Sequence, residues 1–172
     1  RSLGNLSVIY YYQANYEEAI RINSLYLNLS REIKDRMGEA HSLGGLAVNN
    51  HMLGKYYKAI DFYWQELTLR RELDDKNWEI NALINLGESY LKLGKYSKSY
   101  LLYKESLNLN KETENDYLQI RILKLIANIY LSAKKYSKAN HECQKALEIS
   151  IKIENCYEQA CMLHLTGAIM IS

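Results

Sequence analysis

Arg121, Lys124 and Asn128 stand at i, i+3 and i+7, the spacing that sets three side chains on one face of an α-helix. A guanidinium, an ammonium and a carboxamide presented together can hold a carboxylate or a stretch of peptide backbone, and Asn85 offers a further amide to the same ligand. Solvated polar residues on an open surface are the bland alternative. Cys161 and His164, at i and i+3 with Cys156 or His141 nearby, are metal-ligand types, but structural zinc takes four ligands at recognisable spacing. Buried thiols are the preferred reading of the cysteines, Cys143 above all, so neither metal nor cofactor is expected. The sequence contains no HExxH, nucleophile elbow, phosphate loop or dinucleotide fingerprint, and an enzyme is not expected.

Composition narrows the class further. The chain has 172 residues, with 22 Lys and Arg against 20 Asp and Glu. A net charge of +2 is too small to indicate a nucleic-acid partner. Apolar runs are interrupted every three or four positions, well short of the roughly 20 residues a membrane helix needs, so no membrane partner is expected. An odd count of three cysteines without a CxxC pair fits a reducing, cytoplasmic setting. The chain opens on Arg1, and a portion of a longer chain is expected.

The elements that must position these side chains follow from an internal period. Leu3, Leu43, Leu83, Leu123 and Leu163 recur every 40 residues, and Tyr16, Tyr56, Tyr96 and Tyr136 recur in the same register. Within one period Leu83, Leu86, Gly87, Tyr90 and Leu93 form a helical stripe. Gly94 then ends that helix, and a second stripe, Tyr96, Ser99, Tyr100, Tyr103 and Leu107, follows. First helices are expected near 2–14, 37–53, 77–93, 117–132 and 157–171, and second helices near 17–33, 57–74, 97–113 and 137–154. Gly, Asn and Asp make the turns, with Asp35, Asp75, Asn115 and Asn155 placed to cap the next helix. Proline is absent because helices fill nearly everything.

Each period is therefore a helical hairpin, and hairpins with two apolar stripes bury them by stacking into a solenoid. Ala19, Ala59, Ser99 and Ala139, with Ser7, Ala47, Gly87 and Ala127, mark where backbones approach. The expected fold is all-α, a right-handed α-α superhelix of antiparallel hairpins with about nine helices. It forms a single domain over 1–172, with units 1–41, 42–81, 82–121 and 122–161 and a partial fifth, 162–172.

Leu83, Leu86-Gly87, Tyr90, Ser99, Tyr103 and Ser106 resemble the tetratricopeptide repeat, and Leu123, Ile126-Ala127, Tyr130, Ala139, Cys143 and Ala146 follow the same order. Asn23, Tyr26, Asn50 and Glu66 depart from the family pattern, as does the missing closing proline. The period of 40, and REIKDRMGEA at 31–40, are similar to the long-repeat subclass of spindle-orientation adaptors and cyanobacterial multi-repeat proteins. The resemblance implies a protein-interaction scaffold whose first helices line a concave groove. By register that groove takes Val8, Tyr11, Tyr12, Val48 and His51, then Asn85, Glu88 and Lys92, then Arg121, Lys124 and Asn128, with Ala168 in the partial unit. Lys124 and Asn128 match half of the family's carboxylate clamp, but Leu165 stands where the next Asn is needed.

The implied ligand is a protein or peptide with an apolar end near Tyr11, Tyr12 and Val48 and an acidic stretch near Arg121 and Lys124. A sensor or adaptor region of a larger signalling or effector enzyme is the alternative. So is a self-associating solenoid, through the uncapped end at Ile169, Met170 and Ile171. Lys55, Lys95, Lys135, Lys58, Lys98 and Lys138 mark one turn edge as basic. Glu32, Glu72, Glu112, Asp74, Glu114 and Glu154 mark the other as acidic. Eight tyrosines, Tyr10, Tyr16, Tyr56, Tyr90, Tyr96, Tyr103, Tyr130 and Tyr136, fall at core registers.

Overall fold

The structure, a computed structural model, describes the chain from Ser2 to Met170. The expectations placed on Ala168 and on the Ile169-Met170-Ile171 end lie outside the residues whose side chains are described. Nine helices run in order among the described residues: α1 Ser2–Tyr12, α2 Tyr16–Glu32, α3 Arg36–Met52, α4 Tyr56–Glu72, α5 Lys76–Lys92, α6 Tyr96–Thr113, α7 Asp116–Ser132, α8 Tyr136–Lys152 and α9 Cys156–Met170. These bounds match the expected ones to within two residues; α1, α4 and α8 each end two residues early, at Tyr12, Glu72 and Lys152. None of these helices is long and apolar enough to cross a membrane.

The turns repeat at half the sequence period. Ala14, Lys34, Gly54, Asp74, Gly94, Glu114, Lys134 and Glu154, one every twenty residues, have positive φ between +48° and +72°. In seven of the eight turns the next residue donates its amide five residues back, as Asp35 does to the Ser30 carbonyl at 2.8 Å and Lys55 to that of Asn50 at 2.9 Å. That bond and the left-handed residue before it make the Schellman closure of a helix. Only two of the eight are glycine, so the expectation of Gly, Asn and Asp turns is too narrow. Backbone hydrogen bonding sets the left-handed residue, and Ala, Lys and Glu accept the steric cost of about 1–2 kcal/mol. Proline could serve neither turn position, since its φ is fixed negative and it has no amide to donate.

Three of the four expected caps form. Asp35 accepts from the Gly38 amide at 2.9 Å, Asn115 from that of Leu118 at 3.1 Å and Asn155 from that of Glu158 at 3.1 Å. Asp75 makes no capping bond; its carboxylate is drawn instead to Arg70 at 3.0 Å. Asn15 caps α2, while the lysines preceding α4 and α8 have no acceptor to offer.

The chain divides into two compact units, one up to Leu102 and one from Tyr103. In the first, each of α1 to α4 packs on its successor, with lesser approaches of α1 to α3 and α3 to α5. Leu27, Ala40, Leu43, Leu46 and Leu69 form a core there. In the second, α8 packs on α7 and α9. Ile120, Leu123, Ala146 and Met162 make one core, and Ala127, Ala139 and Cys143 another. The small residues expected at close approaches are all buried: Ala19, Ala47, Ala59, Ser99, Ala127 and Ala139 completely, Ser7 and Gly87 nearly so.

The tyrosine expectation needs correction. Of the eight, only Tyr103 is fully buried, joined by Tyr63, which the register reading omitted; Tyr96 is 48% exposed. The rest are half-buried, and lysines cover two of them, Lys98 over Tyr90 at 5.4 Å and Lys138 over Tyr130 at 5.9 Å. The acidic edge carries its own cations. Arg36 pairs with Glu72, Arg31 with Glu39, Arg71 with Glu79 and Lys152 with Asp116.

Lys134 is exposed with φ +54°, so Lys134→Gly should raise stability by about 0.5–1 kcal/mol, the relieved left-handed cost less glycine's larger unfolded entropy; urea denaturation measures it. Ala59, with no exposed surface, has no room for a longer side chain, and Ala59→Leu should lower stability by about 1–3 kcal/mol in the same assay.

Candidate functional site

Five of the expected groove residues come together in the first unit. Val8, Tyr11 and Tyr12 on α1, Val48 on α3 and Asn85 on α5 line one cavity of about 590 Å³. Tyr11 meets Tyr12 edge-on at 5.5 Å, and Tyr12 is 81% exposed, so the mouth is aromatic and open to solvent. Such a hollow, apolar with a few convergent polar groups, is the common form of a binding site.

His51, Glu88 and Lys92 are in the same unit but do not line this cavity. His51 Nδ1 lies 2.8 Å from Ser89 Oγ, whose hydroxyl donates to the Asn85 carbonyl at 3.0 Å. A hydroxyl has one proton, so His51 Nδ1 must be the donor. Burial lowers the His51 pKa, Glu88 opposes that and Lys92 adds to it. His51 therefore acts as a neutral hydrogen-bonding ring and not as a cation at neutral pH.

In the second unit Arg121 and Asn128 are exposed on α7 with Lys124 half-buried between them. Lys124 Nζ donates to Glu158 Oε2 of α9 at 2.7 Å. Glu158 takes one of the three N–H donors of that ammonium, so an incoming carboxylate would share Lys124 with it or compete for it. Glu158 was not foreseen as a partner, because it stands 34 residues away in sequence. The cysteines divide by position. Cys143 is buried, Cys161 half-buried against the α7–α9 core and Cys156 exposed. Burial chiefly, with Glu142, pushes the Cys143 thiol to about 11. Among the described residues no three His, Cys, Asp or Glu side chains group to hold a metal.

The cavity also exposes what the register reading missed. Its wall includes Glu66 and Arg70 of α4, with Asn23, His41, Asn49 and Trp78. Arg70 has no exposed surface. Its Nε and Nη2 donate to Glu66 Oε1 at 3.3 Å each, and Nη1 to Asp75 Oδ2 at 3.0 Å. The guanidinium lies 4.9 Å from the Trp78 ring centre, and Trp78 meets His41 edge-on at 5.4 Å. The 40-residue register places Ser30, Arg70, Asn110 and Ser150 at equivalent buried positions, so a charged side chain stands where the others are small or neutral. The i, i+4 pair Glu66 and Arg70 was the available signal: two opposite charges on the face that the register assigns to packing.

Gly44 and Gly45 admit these groups. A Cβ on Gly44 would stand 2.6 Å from Glu66 Oε1, and one on Gly45 2.6 Å from Asn23 Nδ2. Two mid-helix glycines cost about 2 kcal/mol of helix propensity, and in exchange polar side chains reach the α3 backbone.

Tetratricopeptide-repeat family models match the chain over residues 39–112 and again over 78–152, and a second such model matches 1–23. The chain belongs to the tetratricopeptide-repeat family, whose members are protein-interaction scaffolds and in general not catalysts. No curated protein matches it. Among solved structures it is similar to a signal transduction ATPase with numerous domains from Pyrococcus horikoshii that has a tetratricopeptide repeat sensor: TM-score 0.88, 22% identity, 98% of this chain and 26% of that one. It is similar to the apo form of RapI, with TM-score 0.86, 18% identity, 97% of this chain and 61% of that one. Nearly identical TPR-like repeats assigned to a kinesin light chain of Podosopora anserina match with TM-score 0.81 and 13% identity, over 98% of this chain and 84% of theirs. The chain thus spans about a quarter of the first of these proteins and three fifths of the second. The likeness shows the fold class, an all-α repeat solenoid of helical hairpins.

Burial raises the Glu66 pKa from 4.5 to about 7, opposed by Arg70 and reinforced by Asp75. A folded pKa above the unfolded one favours the fold while the group is protonated in both states. That contribution is complete below about pH 4.5 and is lost as pH rises through about 7. The difference in unfolding free energy between Glu66→Gln and wild type should therefore shift in favour of the variant by about 3 kcal/mol from pH 4 to pH 8, measured by urea titration at both.

Proposed function

We infer that this domain binds a protein partner through a peptide segment, by way of the face that α1, α3 and α5 present in the first unit. The observation that carries the reading is the cavity of about 590 Å³, lined by Val8, Tyr11, Tyr12, Val48 and Asn85, residues that the family resemblance, carried over by register, assigns to the groove. Apolar and aromatic walls with dispersed amides suit a segment that buries a side chain and hydrogen-bonds its backbone. Separately, Arg121, Lys124 and Asn128 on α7 of the second unit are read as the contact for an acidic stretch. The positive charges of Arg121 and Lys124 favour a carboxylate there, with Glu158 as the competitor already seated on Lys124.

A second reading is favoured by one finding. The repeat sensor of the Pyrococcus horikoshii ATPase belongs to a chain of which this one covers 26%. On that reading the domain is the sensor or adaptor region of a larger regulator, and peptide capture is the input it senses. A cytoplasmic setting fits either role, as does a one-domain arrangement over 1–172. Self-association through the carboxy-terminal end is kept as a lesser alternative.

A peptide library displayed on phage and selected on the domain tests the proposal. Selected peptides should lose at least about tenfold in affinity, 1.4 kcal/mol, to Val48→Glu. Acidic ones should lose as much to the double change Lys124→Glu with Asn128→Ala. No selected peptide, or affinities unmoved by Val48→Glu, would overturn the groove reading. Affinities unmoved by the double change alone would remove the α7 contact.

A further inference from the structure

The cavity of the first unit has a floor that its apolar walls do not explain. Asn49 is 2% exposed; its Nδ2 donates to the Gly45 carbonyl at 2.6 Å, while its Oδ1 is buried and accepts from nothing. Asn23, also 2% exposed, has a buried Nδ2 that donates to nothing. Both side chains line the cavity. Buried polar atoms are almost always paired, and one left over in a native interior asks for its partner. One unused acceptor and one unused donor thus belong to residues that line the same hollow.

The third component of the floor is charge. Glu66 lines the cavity at 4% exposure, and its Oε1 is held by Arg70, which also serves Asp75. Two carboxyl groups share one guanidinium, so the cluster has one negative charge in excess whenever Glu66 is ionised, a state that its raised pKa shows to be disfavoured without a further counter-charge. The neighbouring titratable group on α3, His41, does not offset it. Burial lowers the His41 pKa first, and Arg70 lowers it further against the opposing pull of Asp75 and Asp35. An excess buried charge is costly unless a counter-charge covers it, and the wall beside this one is aromatic, with Tyr11, Tyr12 and Trp78. Carboxylate and aromatic faces together recognise an ammonium.

We propose that this cavity captures a primary ammonium with an adjoining carbonyl, the chemistry of a peptide's amino terminus. The ammonium meets Glu66 and donates to Asn49 Oδ1, the carbonyl accepts from Asn23 Nδ2, and the first side chain lies against Tyr11, Tyr12 and Val48. A free carboxylate next to the amine would return the excess negative charge, so an amide or peptide is preferred to a free amino acid. Gly44 and Gly45 are the positioning elements, since a Cβ at either would push Glu66 or Asn23 from its place. The assignment rests on the peptide-binding reading of this face and specifies which end of the segment enters.

The test uses three probes that differ at one group: phenylalaninamide, N-acetylphenylalaninamide and 3-phenylpropanamide, the last lacking nitrogen at the α carbon. A dozen heavy atoms at about 0.3 kcal/mol each correspond to a Kd of about 2 mM, within range of proton–nitrogen NMR on the whole chain. Phenylalaninamide should move the side-chain amide signals of Asn23 and Asn49 and the indole signal of Trp78. The other two probes should bind at least about tenfold more weakly. Glu66→Gln, and Gly44→Ala by displacement of the carboxylate, should weaken phenylalaninamide to the level of its acetylated form. Equal binding of the free and acetylated amides, or no shift at those three residues at about twenty times the expected Kd, overturns the proposal. Should a variant fail to fold by circular dichroism, the probe series on the native chain still decides. Library-selected peptides that bind equally well with blocked amino termini would remove the amino-terminal assignment and leave the groove reading intact. Binding of phenylalaninamide with no peptide selected would do the reverse.

Discussion

The closure of each helix by a left-handed residue every twenty positions is the constraint on which the rest depends. With Ala14, Lys34, Gly54, Asp74, Gly94, Glu114, Lys134 and Glu154 all at positive φ, successive helices are held to nearly equal length and reverse within about three residues. Equal helices joined by equal turns bring the same registers into contact in each hairpin. The small residues Ala19, Ala59, Ser99 and Ala139 are therefore buried in every repeat. It also explains how a chain with no proline turns so often: both turn residues need something proline lacks, a left-handed φ or a free amide.

Repetition in this frame makes exceptions informative. At the register of Ser30, Asn110 and Ser150, one repeat has Arg70, and around it Glu66, Asp75 and Trp78 rearrange. Removal of ions from water costs more than an isolated pair recovers, so such a cluster is hard to explain as a stabilising device. The same repeat has the adjacent glycines 44 and 45 on α3, which weaken the helix to admit Glu66 and Asn23. Both departures fall on one cavity, where local stability is given up for polar chemistry in an apolar wall.

The surface pairs show the opposite economy. Arg36 with Glu72 and Asp116 with Lys152 occupy the same register two repeats apart with their charges exchanged, as though the position required a pair and not a particular sign. Exposed pairs of this kind contribute little each. They bring cations to the edge that sequence alone marks as acidic, and lysines of the opposite edge lie over tyrosine rings.

The sequence by itself determined the helices, their order and the residues of the close approaches, because these depend on local spacing: a stripe at 3.6 residues per turn, a period of 40 and a small side chain at a fixed phase. The family resemblance, carried over by register, also pointed to Val8, Tyr11, Tyr12, Val48 and Asn85, which line one cavity. Only the tertiary structure decided the partners, since these lie far apart in the chain. Asp75 leaves its capping role for Arg70, Lys124 finds Glu158 34 residues on, and Asn23 and Asn49 come from different helices with their spare hydrogen-bonding atoms buried beside one cavity. A period repeats positions, whereas electrostatic and hydrogen-bond pairing depends on which side chains happen to occupy them.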